Sequence, residues 1–184
     1  MESRKDSCER IFNELVNIGL ISRSHSIKVS DKWDYFHAGL KTIHYNLKMN
    51  QLSENSIRIS LLHEEGHIRF LYRSILYLFL IFIVIMSIVI FIQFEILVKI
   101  FSIIIIVLIS VWYFLFLEEY QCDKFASILL RDKYKISKPS LVLEKTLEKM
   151  PHYGLSALTH PSINQRVKKI AEIVDEKTFD IKIE

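Results

Sequence analysis

Residues 63–67 read His-Glu-Glu-Gly-His, two imidazoles four positions apart with a carboxylate directly after the first. On an α-helix, residues four apart lie on one face, so His63 and His67 can grip one zinc ion between them. Glu64 then stands where its carboxylate can take a proton from a water on that ion. Zinc lowers the pKa of such a water to about 7, which makes hydroxide available at neutral pH. A motif this short also arises by chance, and the plain competing account is a surface helix with two solvated histidines.

A catalytic zinc needs a third protein ligand and an open fourth position. The best candidate is Glu119, in the run Glu118-Glu119-Tyr120-Gln121-Cys122-Asp123. Asp123, one turn further on, is placed to hydrogen-bond a ligand histidine from behind. The competing account of these carboxylates is an acidic cluster capping a helix beside a membrane.

The elements that must bring these groups together follow from composition. The chain has 184 residues, 51% hydrophobic and yet 24% charged, with a mean hydropathy of +0.24. Such values coexist only if the apolar residues are concentrated. They are, in 75–92 (ILYLFLIFIVIMSIVIFI) and 100–117 (IFSIIIIVLISVWYFLFL). Each run would span roughly 27 Å as a helix, near the hydrocarbon thickness of a bilayer. Two transmembrane helices joined by a tight connection over 93–99 are expected; a pair of buried core helices would need more chain to wrap them. A signal peptide is excluded by the long, mostly polar stretch before the first run. An even number of spans returns the chain to the side it left, so Glu119 can meet the histidine pair at one membrane surface. Of 24 Lys and Arg, 11 lie at or before Arg73, one is Lys99, and 12 follow Leu117. That asymmetry predicts a two-pass protein of the cell membrane with both termini and the site in the cytoplasm.

Charge and cysteine content narrow the partners. A net charge of +3 without a basic, aromatic-interleaved stripe argues against nucleic acid. Cys8 and Cys122 give neither a disulfide framework nor a metal knuckle and read as reduced thiols. Among the polar parts, helical spacing is expected over 4–20 with a stop at Gly19, and short strands over 26–30 and 41–47 flank an aromatic loop. Ser53 is a fitting N-cap for the helix that carries the histidines. Further helices are expected over 118–130, 140–150 and 163–174, the last capped by Ser162. The division is residues 1–70, a membrane hairpin over 71–117, and 118–184, an α+β membrane protein.

HEEGH, a membrane segment, EYQCD and then THPSINQR together resemble the HtpX-like and CAAX-prenyl-endopeptidase group of gluzincin metallopeptidases. The usual phrases there are H-E-x-x-H, E-[FY]-x-A-D and S/T-H-P-P-x-x-x-R. The matching positions are His63, Glu64 and His67, then Glu119 and Asp123, then Thr159, His160, Pro161 and Arg166, within a similarity covering about residues 26–175. Cys122 stands where Ala is usual, Ser162 where a second Pro is usual, and the Asn-Ala-Phe phrase before the active helix is missing. The resemblance implies a small zincin-like domain interrupted by the membrane hairpin. It implies one zinc on His63, His67 and Glu119, and Glu64 as general base and later acid. It further implies that His160 and Arg166 lie near the metal, His160 stabilising the oxyanion, and that strand 41–47 is an edge strand holding extended substrate. Peptides or proteins, membrane proteins among them, are the implied substrates. His25, His37, His44 and His152 receive no role beyond surface or packing duty. The tail 179–184 could lie in the cleft, and a Cys8 thiolate could block the zinc.

Two other functions compete. An intramembrane zinc protease of the site-2 type would carry its histidines within an apolar span and take an Asp from another; here Arg58, Arg69 and Arg73 flank the motif and neither span contains Asp. A membrane-tethered module with a merely structural zinc would have no use for Glu64.

Overall fold

The computed structural model describes residues 7–91, 96–150 and 161–175. Helix α1 (Ser7–Asn17) turns Cys8, Ile11, Phe12 and Leu15 to the core. It stops where expected: Gly19, at φ +76°, donates its N–H to Val16, and Leu20 donates to Leu15, at 3.0 and 2.9 Å. This left-handed closure is one that a Cβ would strain.

Three short strands follow, β1 (Ser26–Val29), β2 (His37–Ala38) and β3 (Thr42–Tyr45). The sheet order is β1-β3-β2, with β3 parallel to β1 and antiparallel to β2. The expectation that 41–47 forms an edge strand is therefore corrected: β3 is the middle strand, and both its flanks are taken. The open edge on the hairpin side is β2, inside what read as an aromatic loop. Two residues cannot display a period. What makes them a strand is non-local pairing, His37 with His44 and Ala38 with Ile43, closed by a turn in which Gly39 N–H reaches Thr42 C=O at 2.7 Å.

After a 3₁₀ turn (Leu47–Gln51), α2 runs from Glu54 to Phe91, capped by Ser53, whose Oγ accepts the Ser56 N–H. Helix α3 runs from Ile96 to Tyr134. Each joins a polar segment to an apolar run without a break over roughly 57 Å. Both are long and apolar enough to cross a membrane. Their apolar side chains, Leu78, Phe82, Ile104 and Leu108 among them, are exposed, which suits lipid as the surrounding solvent. Helix α4 (Pro139–Leu147) follows, then α5 (Ile163–Ile170) with a capping box between Ser162 and Gln165, then a π-helical turn (Ala171–Asp175). The architecture is mostly helical, with a small three-stranded sheet.

The core gathers Ile11 and Leu15 of α1, Ile43 and Tyr45 of β3, Ile57 and Leu61 of α2, and Ala126 and Leu130 of α3. Glu14 pins three helices together at its edge. Arg58 Nη2 donates to Glu14 Oε2 at 3.0 Å, the Tyr134 hydroxyl donates to Oε1 at 2.7 Å, and the Arg58 guanidinium lies 4.7 Å from the Tyr134 ring centre. Burial would raise the Glu14 carboxyl, but these bonds and the Arg58 charge outweigh it and hold the pKa below its ordinary 4.5. A depressed folded-state pKa contributes stability that is present above the unfolded value and lost as pH falls through the folded one. Glu14→Gln should therefore cost about 1 kcal/mol near neutrality, allowing for partial solvent screening. Denaturant melts of both proteins should converge in acid.

Candidate metal centre

Helices α2 and α3 pack tightly together at Gly66. A Cβ built there would lie 3.1 Å from Cys122 Sγ and 3.2 Å from Cys122 Cα. The glycine of HEEGH thus admits the segment of α3 that carries the acidic residues. Alanine would favour an isolated helix by about 1 kcal/mol, but here it must push α3 outward by a few tenths of an ångström. Gly66→Ala should weaken metal binding by about tenfold, read by competition against a chelator. Cys122→Ala should not restore it, because the α3 backbone remains in the way.

At that crossing three donors converge. His63 Nε2 and His67 Nε2 are 3.1 Å apart, His63 Nε2 is 3.5 Å from Glu119 Oε2, and His67 Nε2 is 3.4 Å from Glu119 Oε1. Tetrahedral ligation at ~2.0–2.1 Å separates ligand atoms by about 3.3–3.4 Å, so the triangle has the right size for one ion. The other ring nitrogens face carboxylates: His63 Nδ1 lies 2.9 Å from Asp123 Oδ1, and His67 Nδ1 lies 3.2 Å from Glu118 Oε1. A carboxylate can only accept, so each Nδ1 carries the proton and each Nε2 presents a lone pair. With both rings neutral, two lone pairs and a carboxylate face one another, an arrangement that attracts a cation, whether a proton or a metal ion. His63, His67 and Glu119 could hold a metal ion.

The electrostatics agree. Burial would lower the His67 pKa, yet its bonds to Cys122, Glu118 and Glu119 outweigh that and raise it. Burial would raise the Glu119 carboxyl, but Arg166, His63 and His67 hold it well below the usual range. Both shifts mark a place that attracts positive charge. Burial pushes the Cys122 thiol up to about 11, leaving it protonated and inert.

Arg166 of α5 secures the carboxylates. Its Nε and Nη2 donate to the two oxygens of Asp123 at 2.6 Å each, and its Nη1 lies 3.0 Å from Glu119 Oε2. Asp123 is fully buried. Burial would raise its pKa, but the guanidinium and the His63 bond keep it below the ordinary carboxylate value. Asp123 thus links a fixed cation to a histidine, orienting His63.

Of the residues the sequence singled out, His63, His67, Glu119, Asp123 and Arg166 come together. Glu64 lines the same cleft, a cavity of about 1160 Å³ whose walls come from α2, α3, α4, α5 and the aromatic loop. His160, Thr159 and the tail fall outside the described residues. Cys8, on α1, is buried in the core, with its N–H bonded to Asn50 Oδ1, and is not part of the donor cluster. Sequence reasoning gave Glu118 no role, although it backs His67. It gave none to His37, which lines the cleft and stacks on Trp33 at 3.9 Å. His25 does the expected packing duty, its Nδ1 2.7 Å from the buried Glu65, which Arg69 also holds at 2.8 Å. No protein-family model matches the sequence, and neither does any curated protein or solved structure.

Proposed function

We propose that the chain is a membrane-anchored zinc metalloendopeptidase with a small zincin-like domain, hydrolysing peptide bonds at the cytoplasmic face of the membrane. The observation that carries this reading is the triangle of His63, His67 and Glu119 with Glu64 beside it in one open cleft. Two neutral imidazoles and one carboxylate form the donor set zinc takes in hydrolytic sites, whereas magnesium and calcium prefer oxygen throughout. Asp123 and Glu118 hold the imidazoles in the tautomer that donation requires. Bound zinc would supply a Lewis acid that polarises the substrate carbonyl and makes water easier to deprotonate.

The chain's own residues supply the rest. Glu64 accepts the proton of the attacking water and returns it to the departing amine, so that one carboxylate serves as base and then acid. His160 is assigned to the oxyanion by resemblance alone. The substrate backbone pairs with β2 rather than β3. Because Gly39 and His37 point their backbone groups at β3, Ala38 turns its N–H and C=O outward along the open edge, where an extended peptide can add as a strand. Substrates in this reading are unfolded segments of proteins, membrane proteins among them.

Metal analysis combined with casein cleavage tests the proposal. Purified protein should contain about one zinc per chain. A chelator should abolish cleavage, and added zinc should restore it. Metal-free protein that cleaves, or metal-loaded protein that never does, would overturn the reading.

A further inference from the structure

We propose that the tip of the β2–β3 hairpin, Leu40 and Lys41, is a third contact with the bilayer, seated in the headgroup layer beside the two spans. The argument is one of height and rests only on α2 and α3 lying in lipid, not on any chemistry at the metal centre.

Helix α2 runs toward the membrane, and the sheet is fastened to its polar segment between Glu54 and the apolar run. His25 Nδ1 lies 2.7 Å from Glu65, and Arg69 Nη2 donates to the Leu20 carbonyl at 2.8 Å. Ser26, next to His25, pairs with Thr42: their hydroxyls are 3.0 Å apart, and Ser26 N–H reaches the Lys41 carbonyl at 3.0 Å. The other end of β3 leads through the 3₁₀ turn back to the start of α2 at Glu54. Strand β3 therefore climbs away from the membrane, β2 descends toward it, and their shared turn points down.

Distances place that turn. Glu65, which His25 reaches, precedes the apolar run by ten residues, about 15 Å along the helix. Leu40 extends two residues beyond Thr42, up to about 7 Å farther down. That leaves the tip about 8 Å above the hydrocarbon, against a headgroup layer roughly 5–7 Å deep that the Leu40 and Lys41 side chains can enter. Leu40 also shares the cleft with Leu71 and Trp112, which flank and enter the apolar runs. It is 77% exposed, and Lys41 is exposed beside it. An isolated surface leucine needs no explanation; one held at this height, with a lysine able to reach lipid phosphate, fits an interface.

Spin labels on single introduced cysteines in phosphatidylcholine–phosphatidylglycerol nanodiscs read this directly, since Cys8 and Cys122 are free but buried. Leu40→Cys, Val29→Cys at the far end of β1, and Leu78→Cys in the span are compared for access to oxygen and to a water-soluble nickel chelate. All three positions are exposed, so the labels should not disturb folding. The oxygen-to-nickel ratio should be higher at position 40 than at 29 and lower than at 78. Equal, water-like values at 40 and 29 with a lipid-like 78 would overturn the proposal. A water-like 78 would overturn the membrane placement itself, and the tip contact with it.

Discussion

Glu64→Gln should keep its full complement of metal and lose cleavage of an unfolded protein by about 10²–10⁴-fold, the usual contribution of a positioned acid–base group. The substitution is nearly isosteric and touches none of the three donors, so the triangle of His63, His67 and Glu119 keeps its geometry. What disappears is the ability to take a proton and give it back. The loss should fall on kcat rather than KM, because in the proposed reaction Glu64 faces the reacting atoms while β2 holds the substrate backbone. Metal content measured on the same sample separates the competing functions. A structural zinc in a tethered module would leave the variant and the parent equally inactive. Loss of metal together with activity would make Glu64 a ligand and break the assignment of Glu119. A site-2-type arrangement fits poorly for a further reason: the third donor comes from the polar end of α3, beyond the apolar run, and it is a glutamate.

The parts of this site that could be read in the sequence are those governed by helical spacing within one element. His63 and His67 share a face of α2, and Glu119 and Asp123 share a face of α3, so each pair was visible before any fold existed. The continuity of α2 was legible as well, because nothing between the histidines and the apolar run breaks a helix. Glu118 was not. It sits about 100° around α3 from Glu119, and only the approach of the two helices at Gly66 puts it behind His67. The glycine's purpose was likewise hidden, since a close crossing belongs to two helices and neither sequence alone displays it. Strand order failed for a similar reason. Composition says that 42–45 prefers an extended form, but an edge strand and a middle strand differ only in what pairs beside them. The partner here, β2, is two residues long and exists through its register with β3. The connection misled in the opposite direction: the hydropathy pattern puts Lys99 within it, over 93–99, but Lys99 lies inside α3, which begins at Ile96.

Arg166→Met should destabilise the metal-free protein by about 3–5 kcal/mol, the cost of leaving buried charge without its partner. The side chain is 10% exposed and faces Asp123 at 0% and Glu119 at 8%, so solvent can do little to compensate. Methionine fills comparable space, which makes the lost charge rather than a cavity the dominant effect. Arg166→Lys should fall between the two, because an ammonium keeps the charge but cannot form the paired bonds to both Asp123 oxygens. Metal then enters the comparison. With Arg166 gone, the cluster of Glu118, Glu119 and Asp123 has no fixed cation, so an ion on the histidines supplies more of the neutralisation. Added zinc should therefore raise the thermal midpoint of Arg166→Met in detergent by more than it raises that of the parent, since a ligand stabilises in proportion to its preference for the folded state. The chelated samples show the full deficit, and the zinc-loaded samples a smaller one. Equal midpoints in chelator would mean that the buried carboxylates are neutralised by protons instead, and the charged picture of the site would have to be abandoned.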